Sequence, residues 1–119
     1  MLRNLLATIA VFLSTTAAIG QTVIDGSAKA VPPGDLKEVL RMVATQIGDT
    51  AGAQVRGLYK ASGNGYCGQV KAGGAYTDWS PFHANTFTNT IWILTKASSK
   101  EAYTEIQARV GIFGCLKRR

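Results

Sequence analysis

From residue 35 to 48 the apolar side chains fall at Leu36, Val39, Leu40, Val43 and Ile47, while Lys37, Arg41 and Thr45 take the other side. That spacing is one face of an α-helix. Asp35 reads as its N-cap, with Glu38 three positions on completing a capping-box pair, and Gly48 supplies the stop. Residues 54–61 (QVRGLYKA) and 66–72 (YCGQVKA) read as strands joined by Ser62-Gly63-Asn64-Gly65, a hairpin pattern. Gly73-Gly74 breaks the second of them. Residues 76–85 (YTDWSPFHAN) are aromatic-rich around a proline and fit either an irregular strand or a loop. Residues 86–95 (TFTNTIWILT) are dense in β-branched and aromatic side chains and make the strongest strand pattern in the chain.

A second helix is expected over about residues 99–110. Ser98 and Glu101 give it a capping signature, and its buried positions are Ala102, Ile106 and Val110, flanked by Tyr103. Gly111 ends it, and residues 112–116 (IFGCL) carry Cys115 back toward the sheet. Ahead of the first helix, residues 21–34 read as an extended lead-in ending in Val-Pro-Pro-Gly. The expected fold is α+β: an N-terminal helix, a small antiparallel sheet of three to four strands, a C-terminal helix and one disulfide, in a single domain over residues 35–119.

The first twenty residues follow a different pattern. Arg3 gives a short basic start, residues 5–13 (LLATIAVFL) are apolar and uncharged, and residues 14–20 (STTAAIG) are small. This is the layout of a secretory signal peptide over residues 1–20, with Ala18 and Gly20 as the small residues before the cut. The apolar run is about half of the ~20 residues that cross a bilayer, so no transmembrane segment is expected in the mature chain. Residues 21–119 then form a mature protein carrying twelve Lys and Arg against seven Asp and Glu. It is expected in the periplasm or the medium.

Composition narrows the chemistry. With 46% hydrophobic and 17% charged residues the chain is too apolar to be disordered. Its single His and two Cys cannot fill the usual zinc set without carboxylates, and no cofactor or metal is expected. In an exported chain Cys67 and Cys115 read as one structural disulfide. Closing 48 residues, it is worth at most about 4 kcal/mol in the chain-entropy model.

His83 is the one candidate general base, yet no sharp nucleophile turn of the G-x-S-x-G kind occurs. A small hydrolase pairing His83 with Asp78 or Asp49 is therefore an alternative, set against a structural or exposed histidine. Asp35, Glu38, Glu101 and Glu105 are accounted for by caps and helix faces. The chain is expected to be non-enzymatic. Binding has more in its favour, because aromatics lie beside a basic group in the middle of the chain. The candidate surface comprises Lys71, Tyr76, Trp79, Phe82 and His83, and an envelope protein or a glycan is the class of partner in view. The competing use for Phe82 and Trp92 is core filling. No basic stripe for specific nucleic-acid binding is present. The basic end, Lys117-Arg118-Arg119, supports a third alternative: a structural envelope-associated protein held by charge.

Three blocks carry a family resemblance. The first keeps Asp49, Ala53 and Arg56; the second reads Cys67-Gly68-Gln69-Val70-Lys71-Ala72. The third runs from Gly74 through Tyr76 and Trp79 to Pro81-Phe82. Together they resemble small exported uncharacterised proteobacterial proteins with the pattern D-P-x-S-A-x-F-R, C-G-x-V-N-A-x-N, G-G-Y-x-G-F-x-P-F. This chain lacks the Pro, Ser and Phe of the first block and has Lys71 in place of Asn in the second. The resemblance implies a signal peptide, a helix followed by a small sheet, and a cysteine pairing with one near the C-terminus. It implies no activity.

Overall fold

The computed structural model describes residues 22–48, 52–95 and 98–116. The signal peptide read at residues 1–20, Asp49 and the basic end at residues 117–119 lie outside them. Among the described residues the elements are β1 (Thr22–Val23), a 3-10 turn (Gly26–Ala30), α1 (Pro33–Ile47), β2 (Gln54–Lys60) and β3 (Tyr66–Lys71). A second 3-10 turn (Gly74–Tyr76), β4 (Ser80–Asn85), β5 (Thr90–Ile93) and α2 (Lys100–Ile112) follow. The class is α+β, with the two helices on opposite faces of one sheet. No helix among the described residues is long and apolar enough to cross a membrane.

The sheet has five strands in the order β1-β2-β3-β4-β5, where three to four were expected. It is also mixed: β1 runs parallel to β2, and every other pair is antiparallel. The fifth strand comes from the lead-in. Thr22 and Val23, in the lead-in, pair with Gln54 and Val55. The long β-rich run of residues 86–95 yields only the four-residue β5, because Asn85 Oδ1 accepts the N–H groups of Phe87 and Thr88 and Asn89 takes φ +57°. These two asparagines impose a turn that overrides the β-propensity of the Thr and Phe between them. The aromatic stretch before it supplies β4.

Helix α1 begins three residues earlier than the Asp35 cap predicts, at Pro33 with Pro32 as its N-cap. Pro33 sits in the first turn, where its fixed φ suits the helix and its missing N–H costs nothing, and Leu36 N–H closes on Pro32 O at 2.8 Å. Asp35 instead accepts the Tyr66 hydroxyl at 2.6 Å, tying the helix start to β3. That bond, followed by burial, pushes the Tyr66 hydroxyl pKa up from its ordinary value. Gly48 closes the helix as expected. Helix α2 is capped by Ser99 rather than Ser98: the Ser99 hydroxyl accepts Ala102 N–H at 3.2 Å. It runs on past Gly111 to Ile112.

Alternation along the strands sorts side chains into two layers. Tyr66, Val70, Phe82, Ala84 and Ile93 face α1 and close over Val39, Met42 and Val43 in the main core. Cys67, His83 and Trp92 face the other way, toward Ile106, Val110 and Phe113. The Cys67–Cys115 disulfide, with Cα atoms 5.0 Å apart, fastens the turn after α2 to the central strand.

Candidate functional site

His83 is 2% exposed and stacks flat on the Phe113 ring, the ring centroids 3.8 Å apart and the planes within 2° of parallel. Its Nε2 lies 2.8 Å from Asn64 O. A carbonyl only accepts, so the proton sits on Nε2 and Nδ1 is left as a buried acceptor with no partner among the described residues. Gly65 makes this geometry possible. A Cβ there would stand 2.5 Å from Ala84 O and 2.8 Å from His83 Nε2, and its φ of +96° is itself a glycine conformation.

Burial holds the His83 pKa below its ordinary value near 6.5, against the opposing pull of the Asn64 bond. The unfolded chain therefore takes up a proton at a higher pH than the native one, and stability falls as pH drops below about 6.5. His83 is the sole histidine, so this loss is readable between the carboxylates and the amines. Urea unfolding at pH 7.5 and at 5.5 should give a lower midpoint at 5.5, and His83→Phe should remove most of the difference. A pH-independent midpoint would contradict the assignment.

The five candidate binding residues do not share one surface. Phe82 is fully buried facing α1, His83 is buried facing α2, and Tyr76 is half-buried against the main core. Lys71 and Trp79 do come together, the ammonium 5.9 Å from the indole centroid. A third residue joins them. The Arg56 guanidinium lies 3.9 Å above the same indole and donates from Nε to Gln69 Oε1 at 2.7 Å. Arg56 is directly opposite Gln69 across β2 and β3, so the sheet register presents guanidinium and amide on one face.

Trp79 also lines an open groove of about 620 Å³ between the sheet and α2. Asp78, Trp79 and Pro81 form its sheet side; Tyr103, Gln107 and Leu116 form the other. Its lining comes from residues 74–81, from Leu94 and Thr95 just after β5, and from α2 with the turn that follows it. Pro81 pairs with Gln69, so the groove and the Arg56–Gln69 pair are contiguous across the strands. The contributions of Arg56, Tyr103 and Gln107 were missed in the sequence. The signals available were the charge of Arg56 in the middle of β2 and its place in the first resemblance block; nothing in the α2 pattern marks Gln107.

No protein-family model, curated protein or solved structure matches this chain.

Proposed function

We propose that the chain is a small exported, non-enzymatic binding module of the bacterial envelope or medium, and that the groove beside Trp79 is its binding surface. The groove itself carries this reading: a concave site with an aromatic wall, a second ring at Tyr103, and the polar groups of Asp78 and Gln107 along its length. The surroundings of His83 favour binding over hydrolysis, since its ring is covered by Phe113 and its one hydrogen bond runs to a backbone carbonyl. Export rests on the signal-like residues 1–20. A disulfide fits an oxidising compartment.

The test compares the exported protein with its Trp79→Ala variant, each immobilised and exposed to envelope extract. A component identified by mass spectrometry should be retained by the parent and reduced at least tenfold on the variant, with the thermal midpoints of the two within a few degrees. Equal retention, or retention of nothing, would refute the reading. Mass spectrometry of the same protein should place its first residue at Gln21.

A further inference from the structure

The cations around Trp79 carry an electrostatic imbalance. Arg56 and Lys71 both lie within 6 Å of one indole centroid. Neither has a carboxylate within 4 Å among the described residues, where the ion pairs are Arg41–Glu38 and Arg109–Glu105. The indole quadrupole favours one cation well placed over its face, which Arg56 is at 3.9 Å; a second at 5.9 Å sits at the limit of that attraction and is repelled by the first. The guanidinium is also preorganised. The indole holds it from one side at 3.9 Å, the Gln69 bond fixes Nε, and its two terminal amino groups have no protein acceptor among the described residues. A planar fork so held, with an ammonium beside it, matches a carboxylate or phosphate.

Asp78 gives the opposite signal a few residues away. This acidic residue lines the groove together with Gln107 and Tyr103. An anion there would be repelled, whereas sugar hydroxyls can donate to the carboxylate and exchange bonds with the amide. The site is thus cationic at one end and hydroxyl-seeking along the rest, with rings at Trp79 and Tyr103 to cover the apolar faces of a pyranose. A uniformly charged strand such as nucleic acid does not fit this polarity. A sugar bearing one anionic group does.

We infer that the site takes an acidic saccharide, its carboxylate or phosphate held between Arg56 and Lys71 and its ring laid in the groove against Trp79. This rests on the groove being the binding surface and specifies what it binds. Calorimetric titration of the exported protein with glucuronate, glucose 1-phosphate, glucose and inorganic phosphate tests it. Both acidic sugars should bind at least tenfold more tightly than either glucose or phosphate. Lys71→Gln, at an exposed position, should weaken both acidic sugars at least fivefold and leave glucose unchanged, and Arg56→Gln should do the same. Raised salt should weaken the acidic sugars and leave glucose unchanged.

Glucose binding as well as the acidic sugars would overturn the inference, as would phosphate binding as well as glucose 1-phosphate, or none of the four binding. If these titrations fail while Trp79→Ala still abolishes envelope capture, the ligand class is wrong and the groove stands. If both fail, the groove is not the binding surface.

Discussion

Replacing Cys67 and Cys115 together by alanine should lower the unfolding free energy by about 4 kcal/mol, the chain-entropy value for a 48-residue closure. For a domain this small that is a large fraction of the typical ~5–15 kcal/mol. The structure also says where the loss should appear first. Helix α2 buries only Val110 completely, and the turn after it is otherwise held by a few contacts. These are Ser62 N–H to Phe113 O at 2.9 Å, the Tyr59 hydroxyl to Gly114 O at 2.7 Å, and the Phe113 stack on His83. Arg109 over the Trp92 ring, 4.6 Å from its centroid, adds a surface contact worth about 0.5–1 kcal/mol. Without the crosslink, amide exchange should accelerate across α2 and its turn well before β3 and β4 open. Urea unfolding gives the total and hydrogen exchange gives its location. A midpoint unchanged by the double substitution, or α2 protected as strongly as β3, would contradict this account.

The same division explains what could be read from the sequence. Helix α1 was legible because its apolar period, its stop at Gly48 and its packing all agree, and the β2–β3 hairpin because the Ser62–Gly65 cluster allows little else. Errors fell where local signals competed. Asp35 has the chemistry of a cap, but the proline two positions earlier starts the helix, and the carboxylate is used by Tyr66. Residues 86–95 have the propensity of one long strand, but Asn85 and Asn89 turn the first four of them and leave only Thr90–Ile93 in the sheet. The two-residue β1 had no period to detect.

The candidate site was legible only in part, and for a geometric reason. Reading residues 76–83 as one aromatic surface ignores the pleat, which sends Phe82 and His83 to opposite layers once Ser80–Asn85 is a strand. Trp79, just ahead of that strand, stays half-buried at the groove. Its partner Arg56 is distant in sequence and arrives through the pairing of β2 with β3, a register that composition does not reveal.

Phe82→Ala should cost about 3–5 kcal/mol, the range for truncating a fully buried phenylalanine. Its ring fills a site built by an absence on the next strand. Gly68 is its direct partner across β3 and β4, and a Cβ at Gly68 would stand 2.7 Å from Phe82 Cζ and 2.9 Å from Leu58 Cδ2. The ring therefore occupies the space that a side chain at 68 would need, and the two positions should be strongly coupled. Gly68→Ala alone should destabilise by about 1–3 kcal/mol through overpacking. In the Phe82→Ala background the obstructing ring is gone, leaving only the Leu58 methyl to shift, so the same substitution should cost far less. A double-mutant cycle measured by urea denaturation should return a coupling of at least ~1 kcal/mol with the sign of mutual relief. Additive losses would mean that the strands move apart to accept the methyl group, and that Phe82 is not held against the Gly68 backbone as the register requires.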